Sequence, residues 1–127
     1  MTWQIDSHYR QIFDAVSFGM AITERESGRI IDVNRAFLDL FGYSLREVIG
    51  QHTRILKSGH QSDAFYRQMW TAISDPAGGT WAGELIDRRR DGRDVKATRG
   101  PPALAAACAS VITTAFETQG GQVHTDQ

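Results

Sequence analysis

The sequence lacks the features of several large protein classes. Its one cysteine, Cys108, excludes an internal disulfide and cannot form a zinc site by itself. No apolar run approaches the roughly 18–20 residues that a membrane-spanning helix needs, and the N-terminal residues do not have the pattern of a signal peptide. Fourteen basic residues balance fifteen acidic ones, so bulk charge predicts no binding to nucleic acid or to an anionic membrane. We therefore expect a cytoplasmic domain without a membrane span.

Catalytic motifs are missing as well. The sequence contains no Gly-x-Ser-x-Gly, no glycine-rich phosphate-binding loop and no His-Glu-x-x-His. His52 and His60 are eight positions apart, which is outside the usual spacings of zinc ligands. We therefore predict that the chain is not an enzyme and holds no metal.

The 127 residues, of which 41% are hydrophobic, suffice for one domain with one core. Residues 7–16 predict an amphipathic helix, because apolar side chains recur at i, i+3, i+4 and i+7. We assign residues 1–17 to this N-terminal helix, 18–117 to the domain and 118–127 to a disordered tail. The apolar face of the helix is the predicted contact of a homodimer, and it consists of Tyr9, Ile12, Phe13 and Val16.

Short elements follow in an order typical of an α+β domain. Two apolar segments, 19–24 and 29–34, flank a polar turn and predict a β-hairpin. Capping residues and apolar spacing then predict helices that follow Asn34, Ser44 and Ser62, whereas residues 51–61 are predicted to be a loop with one helical turn at 53–56.

A second hairpin is predicted where the strand 80–90 ends at Asp91-Gly92, a pair typical of a two-residue turn. Residues 110–117 predict one further strand. With a two-residue turn, facing positions of the hairpin sum to 183. That register brings opposite charges together and pairs Arg89 with Asp94, Asp87 with Lys96, and Glu84 with Arg99.

Four segments between residues 9 and 94, about two-thirds of the chain, carry a family resemblance. They are 31–37 (IDVNRAF), 41–50 (FGYSLREVIG), 54–60 (RILKSGH) and 80–92 (TWAGELIDRRRDG). None of them is a catalytic motif. In this order and spacing they resemble the PAS sensor domain.

The resemblance implies a PAS fold, in which helices on one face of an antiparallel sheet of order 2-1-5-4-3 enclose a small pocket. The family continues after the second hairpin turn with a long, half-apolar strand that contains aromatic residues. Residues 95–127 depart from that pattern, so the C-terminal strands are expected to be atypical or incomplete. Two explanations stay open, a divergent end of the domain or an end that is truncated or frame-shifted.

The same resemblance implies a ligand or cofactor pocket. Strand alternation places Trp81, Leu85 and Asp87 on one face of the third strand. The helical spacing of the other candidates is equally typical of plain core. The candidate pocket residues are Phe37, Phe41, Arg54, Ile55, Met69, Trp81, Leu85 and Asp87.

PAS pockets hold flavin, haem, small acids or nothing, and the sequence narrows this choice. Thr53 stands where light-sensing flavin domains carry their reactive cysteine, which excludes cysteinyl-flavin photochemistry. Haem is not expected, because residues 62–74 contain no histidine for its axial ligand. FAD stays open: Trp81 resembles the tryptophan of redox-sensing PAS domains, whereas ionised Asp87 only accepts hydrogen bonds where those domains have asparagine.

These observations predict a sensory and signal-transduction module that binds a small ligand or cofactor. It would relay the signal through dimerisation and flanking helices to an output domain, such as a histidine kinase or a diguanylate cyclase or phosphodiesterase of cyclic-di-GMP signalling. One alternative is a ligand-free dimerisation module whose pocket is filled by side chains. A second alternative is an FAD-binding redox sensor.

Overall fold

The computed structural model describes residues 2–73, 75, 81–100 and 111–117. The predicted tail 118–127 and the alanine-rich segment 103–109 lie outside these residues. Within the described ranges, no helix combines the length and apolar character needed to cross a membrane. The helices are α1 (Thr2–Ala15), α2 (Arg35–Phe41), α3 (Leu45–Val48) and α4 (Asp63–Ile73), with a 3₁₀ turn at Thr53–Leu56; the strands are β1 (Gly19–Glu24), β2 (Ile30–Val33), β3 (Gly83–Arg88), β4 (Asp94–Gly100) and β5 (Val111–Glu117).

All five strands form one antiparallel sheet of order β2-β1-β5-β4-β3. The order implied by the resemblance is therefore confirmed, and the expectation of incomplete C-terminal strands is wrong. β5 occupies the centre and pairs with β1 from Gly19↔Phe116 to Glu24↔Val111. β4 forms despite its few apolar residues, because the buried face that carries Val95 and Ala97 also accepts the side chain of Arg99.

The register of the β3–β4 hairpin differs from the predicted one. Gly92 adopts φ +88°, and the backbone N–H of Arg89 donates to the carbonyl of Arg93 at 2.8 Å, so the turn has three residues rather than two. Facing positions sum to 182, and Asp87 faces Val95 instead of Lys96. The predicted charge pairs across this hairpin are therefore wrong.

The larger of two buried clusters, which we call the aromatic cluster, lies between α2 and the sheet. Its local structure was predictable: the Asn34 side chain accepts from the N–H of Phe37 at the start of α2, and Gly42 ends the helix at φ +78°. The cluster consists of Ala21, Ile30, Val33, Phe37, Phe41, Val48, Leu56, Val95 and Phe116.

Helix α1 packs against its own domain rather than projecting from it. The guanidinium of Arg10 contacts the carboxylate of Asp32 on β2 at 2.5 Å. Phe13 is only 5% exposed in the single chain, whereas Ile12 is 68% exposed. Of the predicted dimer contacts, Tyr9 and Ile12 are thus exposed, Val16 is half-buried, and Phe13 is already covered by the domain itself.

Candidate functional site

The second buried cluster lies beside a cavity, and we call it the cavity cluster. Tyr66, Met69 and Leu85 form its buried part, with Phe65, Trp70, Ile73 and Trp81 packed around them. The cavity has a volume of about 260 Å³ and lies where α4 and the 3₁₀ turn meet strands β3 and β4. It is lined by His52, Thr53, Arg54, Lys57, Tyr66, Met69, Trp70, Asp87 and Arg99.

Local sequence explains why α4 and the 3₁₀ turn face the cavity. Tyr66, Met69 and Trp70 follow the i, i+3, i+4 spacing that puts side chains on one face of a helix. His52 caps the start of the 3₁₀ turn, and its Nδ1 accepts the N–H of Arg54 at 3.0 Å. The wall opposite these elements belongs to the sheet.

A buried ion pair forms that wall. Nη2 of Arg99 lies 2.9 Å from each carboxylate oxygen of Asp87, and the two residues are 6% and 1% exposed. The three-residue turn makes this contact possible, because it puts Asp87 and Arg99 on the same face of the sheet. Burial raises the pKa of Asp87, while the charge and hydrogen bonds of Arg99 oppose that rise.

The other contacts of Arg99 are weaker. Its guanidinium carbon lies 4.8 Å from the ring centroid of Phe116, the residue directly across on β5. Nη1 is 3.8 Å from the sulfur of Met69. Nε is buried and has no hydrogen-bond partner among the described residues. Arg99 therefore connects the aromatic cluster to the cavity and retains hydrogen-bonding capacity.

The loop before α4 covers the edge strand β3. Oε1 of Gln61 accepts the backbone N–H of Ile86 at 2.8 Å, and Nε2 donates to the Ile86 carbonyl at 2.9 Å. Ser58 Oγ donates to the same carbonyl at 2.6 Å. The amide of Gln61 also donates to the hydroxyl of Tyr66 at 2.9 Å, which links the strand edge to a residue that lines the cavity.

Positive charge prevails around the cavity. Among the described residues, Arg54, Lys57 and Arg99 line it together with a single acid, Asp87. The ammonium of Lys57 lies 4.5 Å from the ring centroid of Tyr66. Partial burial, followed by the nearby charges of Arg54, Arg29 and Lys57, lowers the pKa of His52, which favours its neutral form. Among the described residues, no group of acidic, histidine or cysteine side chains is arranged to hold a metal ion.

The predicted pocket residues are distributed over three places. Arg54, Met69 and Asp87 line the cavity. Leu85 belongs to the cavity cluster, and Trp81 packs on Phe65 with ring centroids 5.5 Å apart. The remaining three candidates lie away from the cavity lining, in or against the aromatic cluster: Phe37, Phe41 and Ile55.

The sequence-based prediction missed Lys57, Tyr66 and Arg99. The apolar spacing of α4 could have identified Tyr66, because it precedes Met69 by three positions on the same helical face. Arg99 depended on the length of the turn, since the predicted register put it opposite Glu84. Nothing in the local sequence distinguished Lys57 from a solvated lysine.

Comparison with known proteins identifies the family. The sequence profile described as PAS domain matches residues 7–76, more than half of the chain. A nitrogen fixation regulatory protein of Klebsiella oxytoca is 30% identical over 92 residues, which are 72% of this chain and 18% of that protein. The chain thus spans less than a fifth of the length of the curated relatives it matches.

Solved structures share the fold. The PAS domain of a protein from Colwellia psychrerythraea superposes with a TM-score of 0.74 at 22% identity, covering 93% of this chain and 99% of that one. A domain of a sensory box sensor histidine kinase/response regulator from Geobacter sulfurreducens gives a TM-score of 0.70 at 19% identity, covering 92% and 96%. The chain belongs to the PAS domain family of sensory and signal-transduction modules.

Proposed function

We propose that this PAS domain is a sensor that binds a small ligand in the cavity beside the Asp87–Arg99 pair. The observation that carries the proposal is the cavity itself, about 260 Å³ of space that neither buried cluster fills. Its lining combines apolar surface from Met69 and Trp70 with a few polar groups, the mixture typical of small-molecule sites.

The ligand would act by shifting the population of two packing states of the sheet. Arg99 contacts the cavity, Asp87 on β3 and Phe116 on the central strand, so a ligand that engages its guanidinium changes the contacts of three strands. The exposed Ile12 on α1 supplies an apolar contact for a homodimer. The output would be a histidine kinase or an enzyme of cyclic-di-GMP turnover elsewhere in a longer protein.

The residues present do not fit a flavin. The cavity is smaller than the roughly 300–1,000 Å³ typical of drug-sized ligands, and FAD is larger than most of those. Trp81, the candidate for stacking on the ring, packs on Phe65 instead of lining the cavity. We assign no role to flavin in this domain.

Haem fits no better. His52 is the one histidine among the lining residues that the structure describes, and both of its ring nitrogens face protein. Nδ1 accepts from the backbone of Arg54, and Nε2 lies 2.7 Å from the position that a Cβ on Gly28 would take. Neither nitrogen is available to an iron axial position without rearrangement of the turn.

A ligand-free dimerisation module is the competing function, and one observation favours it. Asp87 finds a partner within the chain, so the carboxylate needs no ligand to satisfy it. The sensor and the ligand-free module differ in whether the cavity binds a small molecule.

A cavity-filling variant tests this difference. We expect small molecules from a library of neutral, cationic and anionic compounds to raise the thermal unfolding midpoint of the wild-type chain. A ligand at ten times its Kd stabilises the fold by about 1.4 kcal/mol. Thr53→Phe, which fills the cavity from the 3₁₀ turn, should abolish the shift. Thr71→Phe adds the same ring at an exposed position of α4 outside the cavity lining and should leave the shift unchanged.

Three results would separate the functions. Shifts in the wild type and Thr71→Phe but not in Thr53→Phe support the sensor. Equal shifts in all three proteins place the binding outside the cavity. Absence of any shift in a folded wild-type chain favours the ligand-free module.

A further inference from the structure

The hydroxyl of Tyr66 has a proton left to donate, because Gln61 fixes its role as an acceptor. The N–H of Ile86 requires Oε1 of Gln61 as its acceptor, which leaves Nε2 on the side of the Ile86 carbonyl and of Tyr66. Tyr66 therefore accepts from Gln61 at 2.9 Å and keeps its own proton free. Because Tyr66 lines the cavity, that proton is available to an acceptor there.

Arg99 also has N–H groups without an oxygen acceptor among the described residues. Nη2 serves both oxygens of Asp87, Nη1 contacts only the sulfur of Met69 at 3.8 Å, and Nε has no partner among the described residues. A guanidinium that is 6% exposed and incompletely hydrogen-bonded is costly unless an acceptor reaches it. Asp87 does not serve Nη1 or Nε, because both of its oxygens contact Nη2.

Two further cations complete the lining. The guanidinium of Arg54 makes no ion pair or hydrogen bond with other described residues. Within the described part of the chain, the ammonium of Lys57 has one ion pair, with Asp63 at 3.9 Å, in which both side chains are exposed. The lining has a carboxylate and an imidazole that could accept a hydrogen bond from these cations, and both already have donors. Asp87 accepts from Arg99, and Nδ1 of His52 accepts the N–H of Arg54.

We infer that the cavity selects a small oxyanion, a molecule with a carboxylate or phosphate group held by Arg54, Lys57, Arg99 and the hydroxyl of Tyr66. This inference rests on the proposed sensor function and adds the chemical class of its ligand. A cavity of about 260 Å³ is small, which favours a ligand below drug size.

Matched acids and amides test the charge requirement. The probes are acetate, malonate, succinate and inorganic phosphate, and the neutral counterparts are acetamide, malonamide and succinamide. Binding is measured by isothermal titration calorimetry at constant ionic strength, in a buffer without carboxylate or phosphate. We expect at least one acid to bind and its amide not to bind. The phosphate arm distinguishes an inorganic oxyanion from an organic acid.

Charge-removing variants place the anion in the cavity. Arg54→Gln and Lys57→Gln should each weaken binding of the acid by about tenfold, because each removes one charge-assisted contact. Arg67→Gln removes the same charge from an exposed position on α4 outside the lining and should leave the Kd unchanged. Arg99 is not varied here, since its loss would disturb the fold itself.

Each other outcome overturns the inference in a distinguishable way. Amides that bind as tightly as their acids would show a site without charge selection. Neutral or cationic library compounds that bind while every acid fails would leave the sensor function standing and refute the oxyanion. Equal losses in Arg54→Gln and Arg67→Gln would show that only the overall charge matters. If no compound of any class binds the folded chain, the proposed sensor function fails as well.

Discussion

The aromatic cluster and the cavity cluster fill their space in opposite ways. In the aromatic cluster the rings of Phe37, Phe41 and Phe116 contact one another with centroids 4.7–5.5 Å apart, among nine buried apolar residues. The cavity cluster has three buried apolar residues, and beside them lie an ion pair and about 260 Å³ of space. The aromatic cluster is therefore packed with apolar side chains, whereas the cavity cluster borders a buried ion pair and unfilled space.

This difference shows where the chain can respond to its surroundings. Tightly packed apolar side chains resist small displacements, because the dispersion energy of their contacts is lost when atoms separate by a fraction of an ångström. A buried ion pair depends instead on the electrostatics of its surroundings, which a bound ion or a change of pH can alter. Arg99 contacts Met69 of the cavity cluster and Phe116 of the aromatic cluster, so a ligand that moved its guanidinium would change the contacts of both clusters.

Removing Arg99 should have the largest effect on stability. Arg99→Met leaves the buried carboxylate of Asp87 without its partner, and we expect the free energy of unfolding to fall by about 3–5 kcal/mol near neutral pH. The double variant Asp87→Leu with Arg99→Met should recover most of that loss, since an apolar pair carries no desolvation penalty. Urea denaturation followed by far-ultraviolet circular dichroism measures both.

The loss should also depend on pH. Burial raises the pKa of Asp87 above its ordinary value of 3.8, and without Arg99 nothing opposes that rise. The unfolded chain then ionises first, so the stability of Arg99→Met should fall as pH increases from about 4 toward 7. Phe37→Ala in the aromatic cluster should cost a similar amount, about 3–5 kcal/mol, with little dependence on pH. A parallel pH dependence in the two variants would contradict the contrast between the clusters.

The second prediction concerns Asn34, a buried polar residue beside the aromatic cluster. Its Oδ1 accepts from Met20 and Phe37, and its Nδ2 donates to the carbonyl of Phe18 at 3.0 Å. Asn34→Ala should therefore lower the free energy of unfolding by about 2–3 kcal/mol, because it removes a helix cap and leaves buried backbone groups unpaired. Ser44→Ala is the matched control, since Ser44 caps α3 at an exposed position.

Ser44→Ala should cost only about 0.5–1 kcal/mol. Equal losses in the two variants would mean that the bonds from Asn34 to Met20 and Phe18 contribute nothing beyond capping. A larger loss at Asn34 would show that the side chain also joins β1 to the start of α2.

Local chemistry explains which parts of the fold could be predicted from the sequence. Asn34 and Gly42 bound α2 as their side-chain and backbone properties require, and the capping box of Ser44 and Glu47 is present. The apolar and β-branched residues after position 110 form the central strand. These signals depend on neighbours a few positions away, so one sequence suffices to recognise them.

Prediction of the cavity would have required information about residues that are distant in the sequence. Asp91-Gly92 is compatible with a two-residue turn and with a three-residue turn that ends in a left-handed glycine. The choice shifts the register by one position, and this moves Arg99 relative to Asp87. Whether side chains fill a pocket or leave it open depends on packing among four elements, which periodicity alone does not determine.

The smallest predicted effects concern the tip of the β3–β4 hairpin, which contacts α2 and α3. Nη1 of Arg89 donates to the carbonyl of Leu40 at 2.6 Å, near the C-terminal end of α2. Arg90 forms an ion pair with Glu47 at 2.6 Å, and both of these side chains are partly or largely exposed. Arg89→Gln should cost about 1 kcal/mol, because a half-buried charge satisfies a helix carbonyl. Arg90→Gln should cost at most about 0.5 kcal/mol, and added salt should remove that difference. If salt instead removed the larger Arg89 effect, the hairpin would be held to α2 by screened surface charge rather than by a specific hydrogen bond.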